Sequence, residues 1–283
     1  MEGRIVAAHG RQYVVELDDG ELLNCFPRGK KSEVACGDRV DLRRASDDQG
    51  VIEGIQPRTS LLYRSNEVRQ KLIAANVDQV VIVVATEPAF SDELVARALL
   101  AAESEEITPL IVLNKSDLAE RLPAAREQLA PLAALGYRIV ELSARDHAES
   151  LRPLLAGRTS VLVGQSGMGK STLVNALIPE ARAKTREISQ ALDSGKHTTT
   201  HATLYHLDAD SHLIDSPGLQ EFGLGHLDRQ EIEHAFREFR PFLGQCRFRD
   251  CRHGREPDCA LVAAVEAGHI DARRFALYRR IAG

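Results

Sequence analysis

A glycine-rich segment in the second half of the chain constrains the fold more than any other feature. Residues 164–171 read Gly-Gln-Ser-Gly-Met-Gly-Lys-Ser and match the pattern G-x-x-x-x-G-K-[ST]. Apolar residues 161–163 precede the segment as a strand, and residues 173–178 follow it as an apolar helical stretch. In this context the glycines let successive backbone N–H groups turn toward phosphate oxygens, and the helix amino terminus adds its positive dipole end. The pattern therefore predicts a phosphate-binding loop in an α/β domain.

The side chains of this loop suit the phosphates of a nucleotide bound with Mg²⁺. We expect Lys170 to reach the β- and γ-phosphates as a catalytic residue, and the Ser171 hydroxyl to be a magnesium ligand. The residues that we expect to contact the nucleotide here are Gly164, Gln165, Ser166, Gly167, Met168, Gly169, Lys170, Ser171 and Thr172. The alternative is a glycine-rich turn that binds no nucleotide, and the flanking strand and helix argue against it.

A second motif, directly after the apolar residues 110–113, indicates which base is bound. It consists of Asn114, Lys115, Ser116 and Asp117. The Asp117 carboxylate can accept hydrogen bonds from the N1–H and the N2 amine of guanine, whereas adenine offers no such pair of donors. We expect Asn114 to brace the neighbouring loops and touch the base, and the Lys115 stem to lie over the face of the base. Ser143 and Ala144, after a strand ending at residue 142, would supply a backbone N–H for the guanine oxygen.

Two further segments complete the expected nucleotide site. Residues 215–218 read Asp-Ser-Pro-Gly and fit D-x-x-G, so that Asp215 would bind Mg²⁺ through water and the Gly218 N–H would meet the γ-phosphate. Upstream, residues 195–200 offer a threonine for the remaining magnesium position. We assign it to Thr199, although counting along the chain does not separate the three threonines 198–200. A polar loop with β-propensity is the alternative for this segment.

The chain around these motifs alternates between apolar strands and helical segments, which is typical of a parallel sheet covered by helices on both faces. Polar residues 63–76, before the first of these strands, are expected to form a linker or an irregular connection. The expected strands are 79–85, 109–113, 138–142, 160–163, 204–207 and 212–214. The expected helices are 92–102, 120–135 and 171–178, followed near the carboxyl end by 229–239, 260–267 and 270–282.

The first 62 residues have a different pattern, with short alternating runs separated by turn residues. Residues 18–20, Asp-Asp-Gly, lie between two such runs and are a hairpin signal. About five short strands without helical periodicity predict a small antiparallel barrel of the OB or SH3-like type. OB barrels often bind oligonucleotides, but a purely structural β domain fits this pattern too. Cys25 and Cys36 are expected to be small core residues of the barrel.

The other three cysteines cluster with a histidine near the carboxyl end. The set Cys246, Cys251, His253 and Cys259 provides three thiolates and one imidazole, which is a complete tetrahedral set for a structural zinc ion. Buried cysteines without a metal are the alternative. Residues Phe239, Phe242 and Phe248 are expected to supply local apolar packing. The flanking arginines Arg247, Arg249, Arg252 and Arg255 suit RNA phosphates, although a solvated surface would have the same composition.

The motifs occur in an unusual order, because an ordinary GTPase begins with its phosphate loop and carries N-K-x-D near its end. Here N-K-S-D comes first, and the cycle is preserved but cut at a different place. With this order the whole sequence resembles the circularly permuted, ribosome small-subunit-dependent GTPase A family (RsgA, also called YjeQ). The resemblance implies an OB-type barrel over residues 1–65, a circularly permuted P-loop GTPase domain over 66–227 and a mainly helical zinc domain over 228–283. It also implies GTP hydrolysis in late maturation of the small ribosomal subunit, with 16S rRNA as a partner.

The residues after the D-x-x-G glycine bear on the rate of hydrolysis. Ras-like GTPases orient the attacking water with a glutamine at the position that Leu219 occupies here, and Gln220 is one residue late. We therefore expect slow intrinsic hydrolysis that a partner stimulates by ordering the two switch segments, residues 195–200 and 215–223. His197, beside the threonine run, is the candidate to position the water, although it could equally be a solvated loop histidine. The second switch segment, residues 215–223, leads almost directly into the carboxyl-terminal residues. We therefore also expect the GTP state to set the orientation of the zinc domain.

Composition narrows the class of protein without deciding the function. No apolar run approaches the ~20 residues that a membrane-spanning helix needs, and the amino terminus lacks a secretory pattern. We expect a cytoplasmic monomer with a net charge of −5, in which residues 240–283 carry nine arginines, no lysine and five acidic side chains. A non-catalytic RNA-binding assembly factor is the competing function. A P-loop kinase or ATPase is disfavoured by the guanine-reading motif.

Overall fold

The computed structural model describes residues 1–29, 33–66, 69–181, 202–216, 223–254 and 256–283, and only the backbone of residues 64–66 and 69–71. Two apolar cores organise these residues. The smaller core fills an amino-terminal barrel, whereas the larger core runs through the central α/β sheet and into the carboxyl-terminal helices. Among the described residues, every helix is too short or too polar to span a lipid bilayer.

Five strands at the amino terminus form a closed barrel, and its core includes Cys25, as the sequence predicts. They are β1 (Glu2–His9), β2 (Gln12–Leu17), β3 (Leu22–Pro27), β4 (Arg39–Arg44) and β5 (Gln49–Ile55). The barrel closes because β1 pairs with both β2 and β4, while β5 joins β3 to β4. The β3–β5 pair is parallel, so the expected fully antiparallel pattern is wrong at this pair. Gly20, at a φ of 86°, makes the predicted hairpin turn.

The stretch that the sequence predicts to be a linker is instead a β-hairpin. Strands β6 (Leu61–Asn66) and β7 (Arg69–Ala75) pair antiparallel as a separate two-stranded sheet. The hairpin is anchored at its base, where Leu62, Ile73 and Ala74 are buried. The prediction of an irregular connection is therefore wrong, because the polar residues lie toward the tip and the few apolar residues at the base suffice to fix the strands.

The central domain is the predicted parallel sheet with helices. Its strands are β8 (Gln79–Ala85), β9 (Thr108–Asn114), β10 (Arg138–Glu141), β11 (Thr159–Val163), β12 (Thr203–His206) and β13 (His212–Asp215). Its helices are α1 (Asp92–Ser104), α2 (Leu122–Ala134), α3 (Arg152–Leu155) and α4 (Lys170–Leu177). The strand order is β10-β9-β8-β11-β13-β12, and only the β12–β13 pair is antiparallel. The loops that carry residues 114–117, 143–144 and 164–171 each follow the carboxyl end of a parallel strand, and parallel sheets bind ligands at that edge.

The barrel and the central domain share one sheet. Strand β1 pairs antiparallel with β12 at Ala7 and Thr203, and the Ala8 N–H donates to the Ala202 carbonyl over 3.3 Å. Eleven of the described strands thereby form one sheet. Cys36 is buried beside this junction, in the larger core instead of the barrel core.

The carboxyl-terminal residues are mainly helical, with α5 (Arg229–Ala235), α6 (Ala260–Glu266) and α7 (Ala272–Ala282). The predicted helix over 229–239 is too long, because α5 ends at Ala235 and a 3₁₀ turn, Arg237–Phe242, follows. Asp228 caps α5 by accepting from the Glu231 N–H, and Pro241 lies within the 3₁₀ turn.

An ion-pair cluster joins the carboxyl-terminal residues to α1. The carboxylate of Glu103 accepts from Arg237 and from Arg240, each over 2.7 Å, and the Glu103 side chain is only 8% exposed. The Arg237 guanidinium also lies over the Tyr137 ring, 4.0 Å from its centroid. The carboxyl-terminal helices are thus fastened to the central domain by buried charge as well as by the shared apolar core.

Candidate functional site

The phosphate loop follows β11 and needs glycine at two positions. Gly164 has a φ of 143°, and a Cβ there would lie 2.2 Å from the Val83 carbonyl oxygen of the neighbouring strand. Gly169 has a φ of 91°, and a Cβ there would lie 2.3 Å from the side-chain nitrogen of Asn114. Both backbone conformations are unfavourable for other residues, and both positions lack room for a side chain.

Helix α4 begins at the end of this loop and presents an open amino terminus. Gly169 is the N-cap and has no side chain to cap the helix, and the Leu173 N–H makes the first helical bond, to the Gly169 carbonyl. The backbone N–H groups before residue 173 are the ones that helix geometry leaves available to an anion. Ser171 and Thr172 in the first turn are exposed, as is Ser166 in the loop. The predicted phosphate-binding residues therefore converge on one helix end.

Lys170 is folded back onto the phosphate loop. Its Nζ donates to the carbonyl of Gly164 over 2.5 Å and to that of Gln165 over 2.7 Å. Burial lowers the pKa of Lys170, and the charge of Asp215 opposes that shift. Burial likewise raises the pKa of Asp215, and Lys170 opposes it. Lys170 and Asp215 therefore lie close enough for each charge to act on the other.

Asn114 joins three loops that are far apart in the sequence. Its Nδ2 donates to the Met168 carbonyl of the phosphate loop over 2.8 Å. Its Oδ1 accepts from the Ala144 N–H over 2.9 Å. Asn114, Met168 and Ala144 are all buried. The segments 114–117, 143–144 and 164–171 therefore surround one site, with Asn114 as the brace that the sequence predicts.

The loop after β9 turns sharply at Lys115, whose φ of 58° is in the left-handed region. The Ser116 N–H donates to the Leu142 carbonyl over 3.2 Å, which ties the loop to the end of β10. Asp117 is exposed at the mouth of the site. Ser143 closes the opposite turn, where its hydroxyl donates to Asp146 over 2.7 Å. The Ala144 N–H, one of the two backbone donors in this segment, donates to Asn114.

One segment at this site carries no motif and was missed by the sequence analysis. Residues 86–91 follow β8 and lie against both nucleotide loops. The Thr86 hydroxyl donates to the Lys115 carbonyl, and the Ser91 N–H donates to the Gln165 side chain. The only available signal was position, because the segment follows the carboxyl end of a central parallel strand.

Two oxygen donors at this site suit Mg²⁺. The Ser171 hydroxyl lies in the first turn of α4, and Asp215 is the last residue of β13, next to β11. A hydroxyl and a carboxylate are hard oxygen ligands, which fit this ion. The other predicted switch residues, His197, Thr199 and Gly218, lie outside the described residues, as do Leu219 and Gln220.

The four predicted metal ligands come together at the other end of the molecule. The sulfur atoms of Cys246, Cys251 and Cys259 and a ring nitrogen of His253 all lie within 4.8 Å of one another. His253 Nδ1 is 3.5 Å from the Cys246 sulfur and 3.3 Å from the Cys259 sulfur. This arrangement can hold a metal ion, and its donor set of three thiolates and one imidazole fits Zn²⁺.

The histidine of this cluster is oriented from behind by Glu233 on α5, a residue that the sequence analysis missed. His253 Nε2 lies 3.4 Å from Glu233 Oε1, so that Nδ1 faces the sulfurs of Cys246 and Cys259. The same Oε1 accepts from the Tyr278 hydroxyl over 2.6 Å and from Arg229 Nε over 3.0 Å. Such a carboxylate–histidine pair fixes the ring orientation at a metal site. The only feature of the sequence that could have indicated this pair is the presence of Glu233 and Tyr278 in the predicted helices before and after the cluster.

The surface around the cluster carries both arginines and acidic residues, and Arg247 pairs with Asp258 over 3.1 Å. Arg247, Arg249 and Arg252 are exposed, whereas Arg255 lies outside the described residues. Phe239 is buried in the core as predicted. Phe248 is 43% exposed and carries the Arg247 guanidinium 5.5 Å from its ring centroid. The expectation that Phe248 packs internally is therefore wrong, because its turn places it on the surface.

Together, the parallel sheet, the phosphate loop and the N-K-S-D loop that Asn114 fastens to it define a GTP-binding protein of the P-loop class. The strands meet in the spatial order of that class, while the chain passes through the motifs in a circularly permuted order.

The comparisons with known proteins agree. The profile of the RsgA GTPase family matches residues 55–225. The small ribosomal subunit biogenesis GTPase RsgA of Burkholderia pseudomallei strain K96243 is 56% identical over 285 residues, which covers 99% of this chain and 91% of that protein. The protein of the same name from Bordetella pertussis is 57% identical over 284 residues, covering 99% and 95%.

Solved structures show the same architecture. The crystal structure of YjeQ from Thermotoga maritima has a TM-score of 0.72 at 32% identity and covers 99% of this chain and 96% of its own. YloQ, described as a circularly permuted GTPase, has a TM-score of 0.69 at 29% identity, covering 98% and 92%. This chain belongs to the RsgA GTPase family, and it is a GTP-hydrolysing enzyme with a permuted nucleotide domain, an amino-terminal OB-type barrel and a carboxyl-terminal Cys/His cluster that can hold a metal ion.

Proposed function

We propose that this protein hydrolyses GTP on the small ribosomal subunit and takes part in the late maturation of that subunit in the cytoplasm. The observation that carries the nucleotide part is the Asn114 brace, which closes the N-K-S-D loop onto the phosphate loop. The ribosomal part is supported by relatives named small ribosomal subunit biogenesis GTPase at 56% and 57% identity over nearly the whole chain. The competing function, a non-catalytic RNA-binding factor, would not need the intact Lys170 and Asp215.

In this proposal the nucleotide replaces the internal partners of Lys170. The ammonium would leave the carbonyls of Gly164 and Gln165 for the β- and γ-phosphates, while the open end of α4 donates backbone N–H groups. Asp117 would accept from the guanine N1–H and N2 amine, and residues 143–144 would lie at the guanine oxygen. Ser171, Thr199 and Asp215 would bind Mg²⁺, which neutralises charge on the phosphates when bound.

Hydrolysis is proposed to be slow until a partner orders the switches. His197 would position the attacking water, since Leu219 occupies the place of the usual glutamine. Purified His197→Ala tests this role: unchanged subunit-stimulated turnover at intact GTP affinity would eliminate it. The GTP state is also proposed to set the orientation of residues 228–283. If the subunit-bound protein had the same domain arrangement with a GTP analogue as with GDP, this coupling would be refuted.

The two ends of the chain are proposed to contact RNA. The zinc ion would be structural, because three thiolates and an imidazole leave no open coordination position. The exposed Arg247, Arg249 and Arg252 would face phosphates of 16S rRNA. The protein is proposed to be a monomer of three domains. These are a barrel that contacts the subunit (residues 1–65), a GTPase domain (66–227) and a zinc domain (228–283).

The decisive experiment is GTP turnover titrated with purified small or large ribosomal subunits. We expect slow turnover of the free protein, stimulation by small subunits and none by large subunits. Lys170→Ala should lose nucleotide binding or turnover under every condition. Equal stimulation by both subunits, or stimulation by neither, would contradict the proposal.

A further inference from the structure

The segment 86–91 contacts the guanine-reading loop through three hydrogen bonds. The Thr86 N–H donates to the Asn114 carbonyl over 3.3 Å, and the Thr86 hydroxyl donates to the Lys115 carbonyl over 3.0 Å. In return, Lys115 Nζ donates to the Glu87 carbonyl over 2.6 Å. Both the backbone and the side chain of Lys115 are therefore held from this segment.

The far end of the segment contacts the phosphate loop. Pro88 packs beside Gly167, where a Cβ built on the glycine would lie 3.4 Å from the proline ring. The Ser91 N–H donates to Gln165 Oε1 over 2.7 Å. Because Ser91 is also the N-cap of α1, the segment ends on a rigid element. Residues 86–91 thus span the two nucleotide loops on the outside, while Asn114 joins them on the inside.

The backbone of Lys115 explains why this contact matters for the base. A φ of 58° is unfavourable for a residue with a Cβ, so the turn persists only while its surroundings hold it. The Thr86 hydroxyl holds the carbonyl of that residue, and the direction of that peptide group sets where the chain goes next. Asp117, two residues further on, is the carboxylate proposed to read guanine. A change in the Lys115 turn would therefore move Asp117.

We propose that Thr86 is a positioning residue for guanine recognition, which acts by holding the left-handed Lys115 turn so that Asp117 reaches the N2 amine of the base. This inference rests on the proposed assignment of the base site to residues 114–117. Thr86 itself is not expected to touch the nucleotide. This role is distinguishable from general stabilisation of the fold, because it affects the hydrogen bond between Asp117 and the exocyclic N2 amine of guanine.

Inosine diphosphate provides the test, since hypoxanthine keeps the N1–H and the oxygen of guanine but lacks the N2 amine. The measurements are the dissociation constants of GDP, IDP and ADP for the full-length protein, by calorimetry, together with the melting temperature. For wild type we expect GDP to bind more tightly than IDP. In Thr86→Val, which replaces the hydroxyl by a methyl group, the GDP-over-IDP preference should fall about tenfold, as expected for a lost hydrogen bond to a charged group.

Thr86→Ser is the matched control, because it retains the hydroxyl and should keep the preference within about twofold of wild type. If Thr86→Val is unfolded, Thr86→Ala carries the same expectation with a smaller side chain. Equal losses of GDP and IDP affinity in the variant would overturn the inference and indicate a purely structural role. Wild-type protein that binds ADP as tightly as GDP would instead overturn the proposed base site itself.

Discussion

The side-chain amide of Asn114 donates to the carbonyl of Met168, 54 residues further along the chain, over 2.8 Å. The same side chain accepts from the Ala144 N–H, so one buried residue sets the distance between the base loop and the phosphate loop. A nucleotide that fills both loops depends on that distance.

Asn114→Ala should therefore cost both stability and affinity. The variant leaves the Met168 carbonyl and the Ala144 N–H buried without their partner, which should lower the free energy of unfolding by about 3 kcal/mol. GDP affinity should fall at least about tenfold because the loops are no longer fixed. Urea unfolding and calorimetry measure the two effects. Ser150→Ala, which removes one exposed hydrogen bond, is the control and should change stability by less than about 1 kcal/mol.

Glu103 should be a main anchor between α1 and the carboxyl-terminal residues. Glu103→Ala leaves Arg237 and Arg240 without their shared carboxylate, and we expect a loss of about 2–3 kcal/mol because the carboxylate is buried while the arginines are partly solvated. Glu53→Ala, which removes an exposed pair with Arg43, should cost less than about 1 kcal/mol. Chemical denaturation compares the two variants, and equal losses would show that burial of Glu103 adds nothing.

Glu233 should control how firmly the metal is held. Glu233→Gln weakens the orientation of His253, and zinc affinity should fall about 10–100-fold, as measured by competition with a coloured chelator. Glu231→Gln on the same helix is the matched control, since glutamine can still complete the capping box at that position. A wild-type zinc affinity in Glu233→Gln would mean that the cluster orients its own histidine. Removal of the metal from wild type should unfold the loop around the cluster, which proteolysis would detect.

His212 should make the protein less stable in mild acid. Burial, then the charges of Arg4 and His206, lower the pKa of His212 from 6.5 to about 4. Its ring lies 2.9 Å from that of His206, which in turn contacts Glu16. Because the unfolded chain takes up the proton first, the contribution of His212 to stability should be constant above pH 6.5 and fall by about 3 kcal/mol as the pH drops to about 4.

The substitution His212→Gln should remove most of this slope, as measured by urea unfolding at a series of pH values. His147→Gln, at an exposed position, controls for the simple loss of a histidine. A slope in His212→Gln that matches wild type would assign the acid sensitivity to other groups.

The nucleotide loops could be predicted from the sequence because their backbone conformations require particular residue types. Glycine is needed at positions 164 and 169 because φ is positive there and the backbone lies close to Val83 and Asn114. Asn114 ends β9, whose run of apolar residues is typical of a buried strand. The barrel was predictable for a similar reason, since alternation and a Gly20 turn define its hairpins. The parallel β3–β5 pair, in contrast, depends on closure of the whole barrel.

The features that were not predicted are contacts between residues that lie far apart in the sequence and belong to no motif. The β6–β7 hairpin was missed because its polar tip hides the apolar base formed by Leu62 and Ile73. Thr86 belongs to no motif, and its hydroxyl has a role only because β8 ends beside Lys115. Glu103 and Arg237 are 134 residues apart, so no local pattern could pair them.

The shared sheet has a practical consequence for anyone who wishes to study the nucleotide domain alone. Strand β12 borders the barrel through β1, and a fragment that starts after the barrel would expose the Thr203 edge of that strand. An uncovered strand edge is a template for pairing with another molecule. Such a truncated protein should self-associate, and a charged substitution on β12 would be needed to keep it in solution.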